Sequence, residues 1–183
     1  LEFRRVLFRS EFHNKWDVIV DTYSVIAEVE TGEYKDRYFG NLSELTDKRM
    51  LFVTIPVYSK EDDAAAVLRG IDGCDDRIAY EQLLRLTDLL EIVRYRLFCG
   101  RISFAGCTIR GIDVEAILMG EIYRGNSGAN NFHGLIKARC MTRLLKWIGD
   151  SADTIIGWYE SQPSSNAMFH EIRKNVKVRT VAY

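Results

Sequence analysis

Apolar and polar positions alternate along this chain with several distinct periods. Between Lys15 and Glu30 no Gly or Pro interrupts, and Trp16, Ile19, Val20, Tyr23, Ile26 and Ala27 recur at helical spacing. That stripe predicts an amphipathic helix, with the short run Val18-Ile19-Val20, ending at Asp21, as the competing strand. Met50 to Ser59, MLFVTIPVYS, is short, apolar and β-branched, the composition of a strand. Pro56 removes a ladder donor there and predicts an edge position or a bulge.

Glu61 to Arg69 reads as a short helix with acidic residues at its positive end. Arg77 to Cys99 carries Ile78, Leu83, Leu86, Leu89, Val93 and Leu97 at roughly helical spacing before Gly100, and predicts one long helix. Arg101–Arg110 and Val114–Arg124 read as strands about the turn Gly111-Ile112-Asp113. The polar stretch GNSGANN (125–131) then reads as a hairpin loop. Further elements follow: a helix over Leu135–Ile148, a strand over Thr154–Tyr159, a helix over Asn166–Lys174 and a half-buried strand over Asn175–Tyr183.

The middle of the chain therefore reads strand, helix, strand, strand, helix, strand. This predicts an α+β fold, with an antiparallel or mixed sheet, helices on one face and a βαββαβ ferredoxin-like (palm-type) core. Such an order hosts many unrelated functions and decides none of them.

Composition narrows the class. With 183 residues, 47% of them hydrophobic, the chain is long enough for one domain with a sizeable core. A formal net charge of -1 gives no global attraction to nucleic acid or to an acidic membrane surface. No run of about 18 apolar residues is present to span a bilayer. The four cysteines show no C-x-x-C spacing, which gives a zinc ribbon or knuckle no support and fits reduced thiols in a cytoplasmic protein. The first ten residues, LEFRRVLFRS, resemble a translated sequencing-adapter tail and are set aside as non-native. Residues 11–183 are read as the single domain.

Common catalytic signatures are missing. The turn at 125–131 has two glycines but no G-x-G-x-x-G and no P-loop Lys-Ser/Thr. No Ser sits in a G-x-S-x-G elbow, and no His pairs with another at i, i+4. Lys137, Arg139, Arg143 and Lys146 form a basic stretch suited to phosphates, although a solvated helix face is the default reading of such a stretch.

The informative segment is Thr108 to Ala138, TIRGIDVEAILMGEIYRGNSGANNFHGLIKA. Its AILMGEIYR, polar turn and FHGLIKA resemble the second half of class III nucleotide cyclase domains, the guanylate and pyrimidine cyclase relatives. The resemblance covers about a third of the chain well. It implies a homodimer that converts a nucleoside triphosphate to a cyclic mononucleotide with two Mg²⁺ or Mn²⁺ ions, held by two Asp carboxylates. The position that matches the first Asp is Asp21. The apolar strand that should bear the second contains none, and Asp62 follows it closely. Lys137, Arg139 and Arg143 fall on the helix that in the family steers the nucleotide.

Two alternatives stand beside this reading. One is a catalytically degenerate regulatory or nucleotide-binding domain of the same fold. The other is a PIN-like Mg²⁺-dependent ribonuclease, which Ile19-Val20-Asp21-Thr22 resembles, with Asp21, Glu61 and Asp113 as its carboxylates.

Overall fold

In the computed structural model, residues 16–25, 38–39, 42–57, 64–98, 102–127, 129–149, 152–158, 163–175 and 177–182 are described. They form β1 (Val18–Val25), β2 (Met50–Val57), α1 (Ala64–Asp72), β3 (Arg77–Ala79), α2 (Leu86–Phe98), β4 (Thr108–Ile109) and β5 (Ile112–Asp113). After these come α3 (Glu115–Ser127), α4 (Ala129–Ile148), β6 (Thr154–Gly157), α5 (Pro163–Asn175) and β7 (Arg179–Ala182).

The chain is mixed α/β, but the sheet is not the antiparallel palm expected. Five strands line up in the order β3-β2-β1-β6-β7, and all four pairings are parallel. Among the described residues, only the small hairpin β4–β5 is antiparallel. Parallel strands buried on both faces carry continuous apolar runs, which a helical period can match by chance. That is why Val18-Ile19-Val20 forms a strand rather than the expected helix. Ile19 packs with Leu51, Val53 and Ile155 on one face, while Val18 and Val20 pack with Met50 and Phe52 on the other.

Helices cover both faces rather than one. Ile78 joins the core under α4 and α5, whereas Val67 and Ile71 of α1 pack on Ala79. Successive strand residues point to opposite faces, so α1 lies across the sheet from α4 and α5.

Three further elements differ from the sequence pattern. Arg77–Cys99 is not one helix: Arg77–Ala79 forms β3, and a 3-10 turn follows over Tyr80–Leu83. Gln82 Oε1 accepts the Ala79 N–H at 2.8 Å and fixes that turn. Helix α2 then begins where Asp88 Oδ2 accepts the Arg85 N–H at 2.8 Å. The stretch expected as strand Val114–Arg124 is helical, within α3, and the loop expected at 125–131 is taken up largely by the α3–α4 helices. The straight-chain residues Leu118, Met119 and Glu121 favour helix there. The β4–β5 turn sits at Arg110-Gly111, both with positive φ (53° and 79°), as a two-residue hairpin requires.

Pro56 causes no bulge. The Phe52 N–H bonds Asp76 O, so even-numbered donors of β2 face β3. The β3 pairing ends at Thr54, and Pro56 lies past it, where no ladder bond is lost. No helix among the described residues is long and apolar enough to cross a membrane.

Candidate functional site

The sheet order reverses direction between β1 and β6. From β1 the chain steps outward through β2 and β3, and it later returns to pair β6 on the other side of β1. In open parallel sheets, ligands bind outside the carboxyl ends of the strands at such a reversal. Asp21 sits at this seam, paired with Gly157, the last residue of β6.

Asp21 is only 1% exposed, and both its oxygens are engaged. Oδ2 accepts from Lys137 Nζ at 2.8 Å, and Oδ1 accepts from Tyr80 Oη at 2.9 Å. Lys137 is 2% exposed, and its ammonium also lies 5.4 Å from the Tyr23 ring centroid and 5.8 Å from that of Tyr80. Burial, together with the Asp21 charge beside it, pushes the Tyr80 phenol well above its usual range. Tyr80 therefore stays a neutral donor. Gly157 makes room for the group: a Cβ there would stand 3.0 Å from Phe169 Cζ and 3.5 Å from both Asp21 Cβ and Oδ2.

Lys137 is buried because it falls on the apolar stripe of α4. Gly134, Ala138, Met141, Leu145 and Ile148 share that face, and Lys137 interrupts it. Tyr80 reaches the site because β3 ends one residue earlier and the 3-10 turn swings its ring inward.

Beside this group lies a cavity of about 240 Å³. Ile55, Leu84, Leu89, Phe132 and Ile136 form its apolar walls, Tyr80 and Lys137 form its inner end, and Glu81 and His133 are its other polar members. Burial raises the Glu81 carboxyl above its ordinary range, opposed by a bond from its own backbone N–H. Its Oε2 is buried without a partner among the described residues. At the seam itself, the rings of Tyr38 and Trp158 lie 4.7 Å apart, and those of Tyr23 and Tyr38 lie 5.9 Å apart.

The structure separates the basic residues read from the sequence. Lys137 is in the core, whereas Arg139 and Arg143 line a polar cleft between α2 and α4. Arg139 pairs with Glu91 at 2.8 Å, and Arg143 bonds both Asp88 and the Leu83 carbonyl. Burial pushes Asp88 up, but the Arg143 and Arg85 bonds and the nearby guanidinium charges outweigh it and hold the carboxyl below its usual range. Arg139 and Arg143 thus tie α4 to α2 and its preceding turn, and neither joins Lys137.

The metal expectation does not fit Asp21, whose oxygens are committed to an ammonium and a phenol. Asp62 and Glu61 lie outside the described residues. Asp113 is exposed on the β4–β5 hairpin, where its Oδ1 accepts the Glu115 N–H at 2.9 Å. Among the described residues, no three His, Cys, Asp or Glu side chains gather as a metal-binding group. Tyr80, Glu81 and Gly157 escaped the sequence reading. No family model, curated protein or solved structure matches this chain.

Proposed function

We propose that this chain is a nucleotide-binding domain that holds its ligand without metal ions. One observation carries the reading: the carboxylate that the cyclase resemblance assigns to a metal, Asp21, is spent on Lys137 and Tyr80. A metal entering there would strand a buried ammonium, and an unpaired buried charge costs about 3–5 kcal/mol. The pair acts instead as a fixed, neutral floor.

The carboxyl end of the sheet supplies the rest of a binding surface. The cavity offers apolar walls for a ring, and the aromatic row at the seam offers flat faces beside it. The place of the ligand is argued by analogy with other open parallel sheets, and its class by the apolar cavity and the aromatic faces near it, both suited to a base.

The test is calorimetric titration of the full chain with ATP, GTP, CTP and UTP, each with Mn²⁺ and with a chelator. The expected result is binding of at least one nucleotide with the same affinity in both conditions. Binding that requires Mn²⁺, and that is lost in a folded Asp21→Asn variant, would return the domain to the two-metal cyclases. Absence of any nucleotide binding overturns the reading altogether.

A further inference from the structure

Helix α2 turns its ionic side inward and its apolar side to water. Against α4, Asp88 pairs with Arg143 and Glu91 pairs with Arg139, and Ile92, 2% exposed, is the one buried apolar residue of the helix. The opposite side carries Leu86, Leu90, Val93 and Leu97, which are 74%, 62%, 56% and 70% exposed. At about 100° per residue these four fall within roughly 60° of one another, and Asp88 and Ile92 lie on the far side. A short helix in a protein draws its stability from burying its apolar face, and a contiguous apolar stripe left in water marks an interaction surface. Successive members of the stripe are four, three and four positions apart, the a/d spacing of a coiled-coil seam.

Two features select what covers it. The spacing reads the same in either direction, so a second α2 running the opposite way matches it layer by layer. Leu86 then meets the partner's Leu97, and Leu90 meets the partner's Val93. A self-complementary patch of this kind is what a two-fold axis requires. Charge sets the direction. Arg94 and Arg96 flank the seam in its C-terminal half, whereas uncharged Thr87 and Leu89 flank it in its N-terminal half, which also holds Asp88 and Glu91. Antiparallel pairing lays the two arginines beside the partner's uncharged half and opposes the helix dipoles, while parallel pairing gathers four arginines at one end. We infer that α2 pairs antiparallel with α2 of a second copy of this chain, forming a two-fold dimer sealed by Leu86, Leu90, Val93 and Leu97. The inference rests on this stripe alone and is independent of the nucleotide reading.

The test is sedimentation velocity on the full chain from about 1 μM to about 1 mM, the range of weak association. It is repeated on Leu90→Glu, on Val93→Lys and on the double variant. Both positions are exposed, so neither substitution enters the core, and circular dichroism checks the folding of each variant. The expected result is a concentration-dependent dimer that either single substitution weakens by more than about tenfold. The double variant should regain the dimer, because an antiparallel layer sets the introduced carboxylate against the introduced ammonium, whereas a parallel layer sets like charges together. A natural-sequence chain that stays monomeric throughout overturns the inference and leaves the stripe to a different partner. A dimer that survives Leu90→Glu, or a double variant that stays monomeric, overturns it as well.

Discussion

Asp21 and Lys137 stand 116 positions apart in the chain and 2.8 Å apart in the fold. Their bond ties the central strand to the longest described helix across the main core. It also determines what Asp21 can do, because a carboxylate neutralised by a buried ammonium is unavailable to other ligands.

That pair gives the first prediction. Lys137→Met should destabilise the protein by about 3–5 kcal/mol, because Asp21 keeps its burial and loses its counter-charge. Adding Asp21→Leu should restore much of the loss, since an apolar pair of similar size removes both desolvation costs. Urea unfolding of the two single variants and the double variant measures the coupling. Additive losses in the double variant would contradict it.

Gly157 should tolerate no side chain. Gly157→Ala places a methyl group 3.0 Å from Phe169 Cζ and 3.5 Å from Asp21 Oδ2, and overpacking of this kind costs about 1–3 kcal/mol. Phe169→Leu in the same chain should relieve part of the cost. Thermal melts of the three variants check the order of stability.

Two carboxyls should bend the pH dependence of stability in opposite directions. The folded state raises the Glu81 pKa through burial. As pH climbs from the ordinary carboxylate range to that raised value, the folded chain keeps a proton that the unfolded chain has released, and stability falls. Glu81→Gln should remove this decline. Asp88 behaves inversely: its folded pKa is lowered by Arg143 and Arg85 against the opposing effect of burial. Its contribution is complete above the unfolded value and is lost as pH falls through the folded one. Asp88→Asn should flatten that acid limb. Stability measured from pH 3 to pH 8 on both variants separates the two effects.

The cysteines should differ in reactivity. Burial pushes the Cys140 thiol up to about 12, a value that the Asp88 and Glu81 charges support and the Arg143 charge opposes. The thiolate is the nucleophile, so Cys140 should resist iodoacetamide in the folded protein, while exposed Cys107 is alkylated. Peptide mass spectrometry before and after unfolding in urea reads this directly. Equal labelling of the two in the native state would overturn the prediction.

The sequence was legible where one element dominates its own neighbourhood. The strand at Met50–Val57 and the helix ending at Gly149 follow their apolar periods, and Gly149 closes its helix with φ 72°, whereas the last strand is shorter than its pattern, Arg179–Ala182, and leaves Val181 exposed. It was not legible where burial on both faces erased alternation, as in Val18-Ile19-Val20, or where a three-residue strand hid inside a helical stripe, as in Arg77–Ala79. The parallel order could not be read, because strand direction depends on which elements return to which edge. At the site, Asp21 stood out as an acid after an apolar run. Lys137 had a signal that went unused: a lysine on an apolar helix face needs a buried partner. Glu81 and Tyr80 had none, since their positions depend on a 3-10 turn set by Gln82.

The placement of β1 also constrains how the protein is made. Val18 pairs with Met50 on one side and with Thr154 on the other. On a ribosome, the nascent chain can assemble β1, β2 and β3 early, but the second edge of β1 stays open until the segment at Thr154–Gly157 has emerged. Through that interval an apolar strand presents unpaired backbone groups, the feature that draws chaperones or neighbouring chains. Stalling translation between α2 and β6 should therefore yield a chain that aggregates, while release of the remaining residues rescues it.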